Sequence, residues 1–215
     1  MSALDATAEP ALDLGRRLMA FNWLAAGYAH RDWLGPWADI LEPRRIASLR
    51  LVRRASIVLL DRLNLRQRFV RELRDDAWVL EPRERIQRIA TELGTAMLGG
   101  WVRNRIERTE VALQLRVLGG PARQRALDYA HRLSALPFPL AGSWPLPLTG
   151  AATPLRLGVS CLAALLDSER SGARERFLLR FAADTTQPLL LSPRQRDEAL
   201  SIIHGPAWAA DEERA

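Results

Sequence analysis

Apolar residues along the chain recur mostly at three- and four-residue steps, the spacing of amphipathic helices. Ile46, Leu49, Val52, Leu59, Leu60 and Leu63 predict a helix over 44–63, opened by Pro43 at its first turn. Phe69, Val70 and Leu73 predict that helix continues over 65–76. Behind Pro82, with Glu81 and Glu84 at the end where the helix dipole favours acids, Ile86, Ile89, Leu93 and Met97 form a stripe that Gly99-Gly100 weakens or ends. A further stripe runs Val102, Ile106, Thr109, Leu113, Val117, up to the stop signal Gly119-Gly120-Pro121. Helices are also expected over 11–20, 122–135, 155–166 and 170–181, although Phe177-Leu178-Leu179 could instead start a short strand. Ser192-Pro193, a cap followed by a first-turn proline, opens a last helix that ends near His204 at Gly205-Pro206. No run alternates apolar and polar residues between turn dipeptides. The pattern predicts an all-α fold: an irregular multi-helix bundle, one domain over 11–206, with a long proline-rich loop at 137–153 and loose tails at 1–10 and 207–215.

Composition narrows the class. A chain of 215 residues, 48% of them hydrophobic, can bury a core without covalent staples. Its single cysteine, Cys161, excludes an internal disulfide. Asp5, Glu9 and Asp13 precede the first basic residue, Arg16, the reverse of a secretory signal. The longest uncharged stretch, 133–155, is interrupted by Pro137, Pro139, Pro145, Pro147 and Pro154 and cannot satisfy a lone spanning helix. A cytoplasmic protein is expected, with membrane association only through partners.

Catalytic patterns are missing from the sequence. There is no lysine, and so no lysine-bearing phosphate loop. Ser160, in Gly158-Val-Ser-Cys-Leu162, lacks the second glycine of a nucleophile elbow. Cys161 reads as an inert core thiol. His30, His131 and His204 have no metal-ligand spacing, and the neighbouring acids Asp75-Asp76 and Asp197-Glu198 diverge around a helix or loop. The expectation is a binding or scaffold protein, not an enzyme, with no cofactor and no metal.

Charge is unevenly spread. The net charge of +6 conceals a basic stretch over 44–74, with ten arginines against two acids, and an acidic N-terminal 1–43. These arginines interleave with the apolar stripe and should coat its solvent side. Arg50, Arg53, Arg54, Arg68 and Arg71 are the candidate docking residues for an acidic protein partner, since complementary charge sets on-rate and register. The alternative is an arginine-rich helical nucleic-acid-binding regulator, although no helix-turn-helix is recognisable and the aromatics cluster in the acidic segment. That cluster is Phe21, Trp23, Tyr28, Trp33 and Trp37. It is expected to wrap the N-terminal segment onto the body, with an exposed partner hot spot as the sharper reading.

The motif Phe21-Asn22-x-x-Ala25-x-x-Tyr28-x-His30-x-x-Trp33 resembles the N-terminal signature of the SctK family, the YscK/PscK-type accessory proteins of bacterial type III secretion, including the Hrp branch. The order of later segments is similar too: the apolar-basic stretch 96–108, the helix over 112–135, the loop around Ser143-Trp144-Pro145, the leucine-rich helix with Gly158, and the basic-leucine stretch 174–181. Leu24 departs from the pattern, which has a proline soon after the asparagine. The resemblance implies a non-enzymatic adaptor of the injectisome sorting platform, peripheral to the inner membrane. Such an adaptor would link the cytoplasmic domain of the ring protein SctD to the SctQ pod, and through it to SctL and the ATPase SctN. Phe21, Asn22, Tyr28, His30 and Trp33 are expected to be structural.

Overall fold

The structure, a computed structural model, describes residues 3–41, 48–71, 73, 76–133, 135, 152–166, 172–183 and 189–205. Every regular element among them is helical, so the all-α class holds. The chain divides into two compact units, neither continuous in sequence: 1–82 with 166–185, and 83–165 with 186–215. The proline-rich stretch 136–151 and the tail 206–215 lie outside the described residues.

The first unit contains α1 (Ala3–Trp23), α2 (Arg31–Leu34), α3 (Leu49–Arg62) and, from the later stretch, a short helix, Ala173–Leu178. Two corrections to the periodicity reading fall here. The first is that α1 begins at Ala3, within the predicted tail and through Pro10. Ala3, Leu4, Ala6 and Ala8 are strong helix formers, and Pro10 removes only the one backbone hydrogen bond that would return to Ala6.

The second correction concerns 65–76, which does not continue α3. Ser48 caps the start of α3, its Oγ accepting from Leu51 N at 3.4 Å, and Asn64 ends the helix in the left-handed region at φ 53°. The chain then runs non-helically to the turn Ala77–Leu80. Distant side chains satisfy its backbone. Asn22 accepts from Val70 N and donates to Val70 O, both at 2.9 Å. Arg176 donates to Leu65 O at 2.7 Å and to Arg68 O at 2.6 Å. Leu34, Leu59, Leu60, Leu65 and Leu179 close a core around the small residues Ala25, Ala26 and Ala55. Phe177 stands edge-on to Trp78, their ring centroids 5.6 Å apart, and tilts against Phe181. Phe177 lies in helix, not strand.

The second unit holds the helices Arg83–Met97, Gly99–Asn104, Arg108–Leu118, Gly120–Arg132, Ala152–Leu165 and Pro193–Ile203. In chain order with those above they are α4 to α8 and α10; Ala173–Leu178 is α9. Glycines let α4 and α8 cross closely. A Cβ on Gly158 would lie 1.6 Å from Ala90 O, and one on Gly94 would lie 1.8 Å from Pro154 O. The predicted stripe 102–117 is broken between α5 and α6, and Ile106 in the gap is 81% exposed. Buried Gln114 explains the break: its amide donates to Arg105 O at 2.7 Å and Val102 O at 3.4 Å, taking up carbonyls at the end of α5. Its Oε1 accepts from Arg123 Nε of α7 at 2.9 Å. Gly119 stands at φ 75° with Pro121 in the first turn of α7, as the stop triplet predicts. Ser192 and Gln195 form a full capping box at the start of α10.

Candidate partner-docking surface

The residues that carry the family resemblance converge inside the first unit, each in a structural role. Phe21 and Asn22 are buried on α1. Besides bracing Val70, Asn22 donates to Leu18 O at 3.0 Å. Tyr28 stacks on Phe21 with centroids 5.6 Å apart and donates its hydroxyl to Phe21 O at 2.7 Å. His30 caps α2, its Nδ1 accepting from Asp32 N at 3.4 Å, and its own N–H donates to Leu179 O. Trp33 Nε1 donates to Phe181 O at 2.8 Å. The aromatic segment therefore wraps onto its own unit. Leu24 occupies a turn with φ −114° before the short helix Ala25–Gly27, so the departure from the family pattern leaves a turn in place.

Two buried arginines, which the sequence reading did not single out, complete this hub. The guanidinium of Arg180 lies 5.8 Å from the ring centroid of Phe21 and 5.2 Å from that of Tyr28, and donates to Glu81 O at 2.7 Å. Burial lowers the pKa of both Arg176 and Arg180 from the ordinary arginine range. Burial also raises the Tyr28 phenol, against the opposing pull of the two arginines, so that it remains a neutral donor. Nothing in spacing separates these two from a solvated arginine. Their position one helical turn apart, around Phe177, is the one available signal.

The five candidate docking arginines part company. Arg50, Arg53 and Arg54 are exposed on one face of α3, with no ion-pair or hydrogen-bond partner among the described residues. Arg68 is half-buried and its Nη1 meets Glu175 Oε1 at 2.9 Å, so it braces its own unit. Arg71 is exposed, but on the non-helical segment beyond Val70.

Beside the α3 face lies an open groove of about 910 Å³. Arg16, Met19, Ala20 and Trp23 contribute one wall, following the i, i+3, i+4, i+7 stripe of α1. Leu49 and Arg53, one turn apart at the start of α3, contribute the other, with Gly15 and Leu24 also lining it. Exposure of the large apolar residues is high: Leu49 68%, Met19 53%, Trp23 41%. Trp23 also leans on Phe69, with centroids 5.8 Å apart. The opposite face of α1 carries buried Phe21 and Asn22, so the helix has two apolar faces and only one is covered within the described residues. The sequence reading found Trp23 in the aromatic cluster and missed Met19 and Leu49.

The groove's chemistry is apolar with guanidinium at its edge; its lining includes no carboxylate, imidazole or thiol. Cys161 is buried in α8, its thiol pushed up to about 12 by desolvation, which fits the inert reading. His131 and His204 are exposed. Among the described residues no group of three His, Cys, Asp or Glu is placed to hold a metal ion, and no helix is long and apolar enough to cross a membrane. No protein-family model matches the chain, and no match is found among curated proteins or solved structures.

Proposed function

We propose that this chain is a non-catalytic adaptor of the type III secretion sorting platform. Lying on the cytoplasmic side of the inner membrane, it would join the SctD-type ring protein to the SctQ-type pod, and through the pod to SctL and SctN. The observation that carries the reading is the α3 face. Arg50, Arg53 and Arg54 are exposed together with no internal partner, beside exposed Leu49. Charge beside uncovered apolar surface is the composition of a protein interface, where the charges steer encounter and the apolar groups hold the complex. The signature residues support the family resemblance by building one hub, as a structural motif should.

Co-purification of the full chain with the SctD-type cytoplasmic domain and the SctQ-type protein tests the proposal. Retention of at least one is expected, with loss when Arg50, Arg53 and Arg54 are all changed to Glu. Failure with both, using folded protein, overturns it. The same face is what a nucleic-acid-binding regulator would use. A salt-titrated gel shift separates the readings, because phosphate binding weakens steeply with salt as counterions are released.

A further inference from the structure

We propose that the groove between α1 and α3 is a receptor for one amphipathic, acid-flanked α-helix of a partner protein. The inference deepens the adaptor reading by naming the chemistry of the occupant, and rests on it only in taking that occupant to be a protein. Shape comes first. The α1 wall spans Arg16 to Trp23, about 10 Å at ~1.5 Å per residue, which matches two turns of a helix laid alongside. Gly15 and Ala20 leave room between the larger Met19, Trp23 and Leu49 for incoming side chains. A partner helix with large apolar groups at i, i+3, i+4 and i+7 fits that relief.

Charge then selects the partner. Arg16 and Arg53 stand in the opposite walls, with Arg50 and Arg54 beside them on α3. Asp13, the nearest acid on α1, already holds Arg17 at 2.6 Å. The rim therefore presents unneutralised positive charge on both sides of an apolar floor. It favours acids flanking the apolar stripe of the occupant and opposes a basic helix of the same shape. A small polar substrate would need several converging donors and acceptors, and the lining supplies only two guanidinium groups.

The test uses the full chain and three labelled synthetic peptides of ~15 residues, long enough to fill the groove as a helix. One carries the apolar stripe flanked by Glu, one the same stripe flanked by Lys, and one is a scramble of the first. Fluorescence anisotropy should show the Glu peptide binding about tenfold or more tighter than the others. Leu49→Glu and, separately, Met19→Glu should each weaken it about tenfold, whereas Ile106→Glu, exposed in the other unit, should not. Circular dichroism checks that each variant is folded. A second readout exploits the buried Cys161: Met19→Cys supplies an exposed thiol whose alkylation the Glu peptide should slow. Equal binding of the Glu and Lys peptides, binding indifferent to both groove variants, or no binding at all would overturn the proposal. So would a preference for phosphatidylserine-containing vesicles, released by Leu49→Glu, without binding of the peptide. If the Glu peptide binds but co-purification with ring and pod proteins fails, the groove stands and the secretion assignment falls. If co-purification persists in Leu49→Glu and Met19→Glu while the peptide never binds, the groove proposal alone falls.

Discussion

The two units solve the same problem by different means. In the second, α4 and α8 bury their faces against each other at a distance set by Gly94, Ala90 and Gly158. Its helices satisfy their own backbones, and side chains such as Gln114 are needed only where a helix ends. In the first, helices are short or interrupted, and much of the chain between them is neither helix nor strand. Those stretches have backbone donors and acceptors that no ladder satisfies. Asn22, Arg176, Arg180 and Trp33 supply the partners from far along the sequence. One unit is held chiefly by apolar packing, the other by side chains that stand in for secondary structure. The difference bears on function: the second kind of assembly can leave a helix face such as that of α1 uncovered without losing its frame.

Overpacking the α4–α8 crossing gives the largest expected effect. Gly158→Leu would drive a side chain into the backbone of Ala90 and should cost about 3 kcal/mol or more, reported by urea unfolding as loss of the cooperative transition or a much lower midpoint. A small effect would mean that the second unit is not held by close backbone approach. Next comes Arg176→Met, which keeps the apolar stem but strands the carbonyls of Leu65 and Arg68. About 2–3 kcal/mol should be lost by the same measurement. Asn22→Leu should cost about 1–3 kcal/mol, since both polar groups of Val70 lose their partner at once. If these two prove neutral, the contrast between the units fails. Changing Arg50, Arg53 and Arg54 together to Glu should move stability by less than about 1 kcal/mol while abolishing partner retention, because none holds anything inside its unit.

Cys161 gives the gentlest probe. Its thiol, ordinarily at 9.0, is raised to about 12 by burial. The unfolded chain therefore releases this proton at lower pH than the folded one. The sign is fixed: the thiol's effect on stability is constant below pH 9.0 and turns unfavourable as pH rises from there toward 12. In the folded protein the thiol should resist alkylation at neutral pH and become reactive only on unfolding. Fast labelling of native protein would show that α8 opens readily.

How far the sequence could be read follows the same division. In the second unit, local signals matched what the backbone does. Gly119-Gly120-Pro121 separated two helices, Ser192-Pro193 capped another, and Ile86, Ile89, Leu93 and Met97 are all buried. Where that unit departed from periodicity, at Ile106, the cause was one polar side chain eight residues on. In the first unit, Phe69, Val70 and Leu73 sit at helical spacing but not in a helix, because long-range partners outbid the local preference. Pro10 misled in the other direction. The candidate surface was half legible: the arginine density on α3 was visible, whereas the assignment of Arg68 to Glu175 and of Met19 and Leu49 to a shared groove was not.

The sequence by itself determined the all-α class, the helix stops and caps, the inert thiol and the concentration of positive charge over 44–74. All of these depend on the identity of residues within a turn or two of one another. Only the tertiary structure decided which arginines are spent inside and which remain outside, which face of α1 stays open, and how an unladdered segment keeps its backbone satisfied. Those outcomes depend on which side chains arrive together from distant parts of the chain, and spacing along a single helix carries no record of what packs against it.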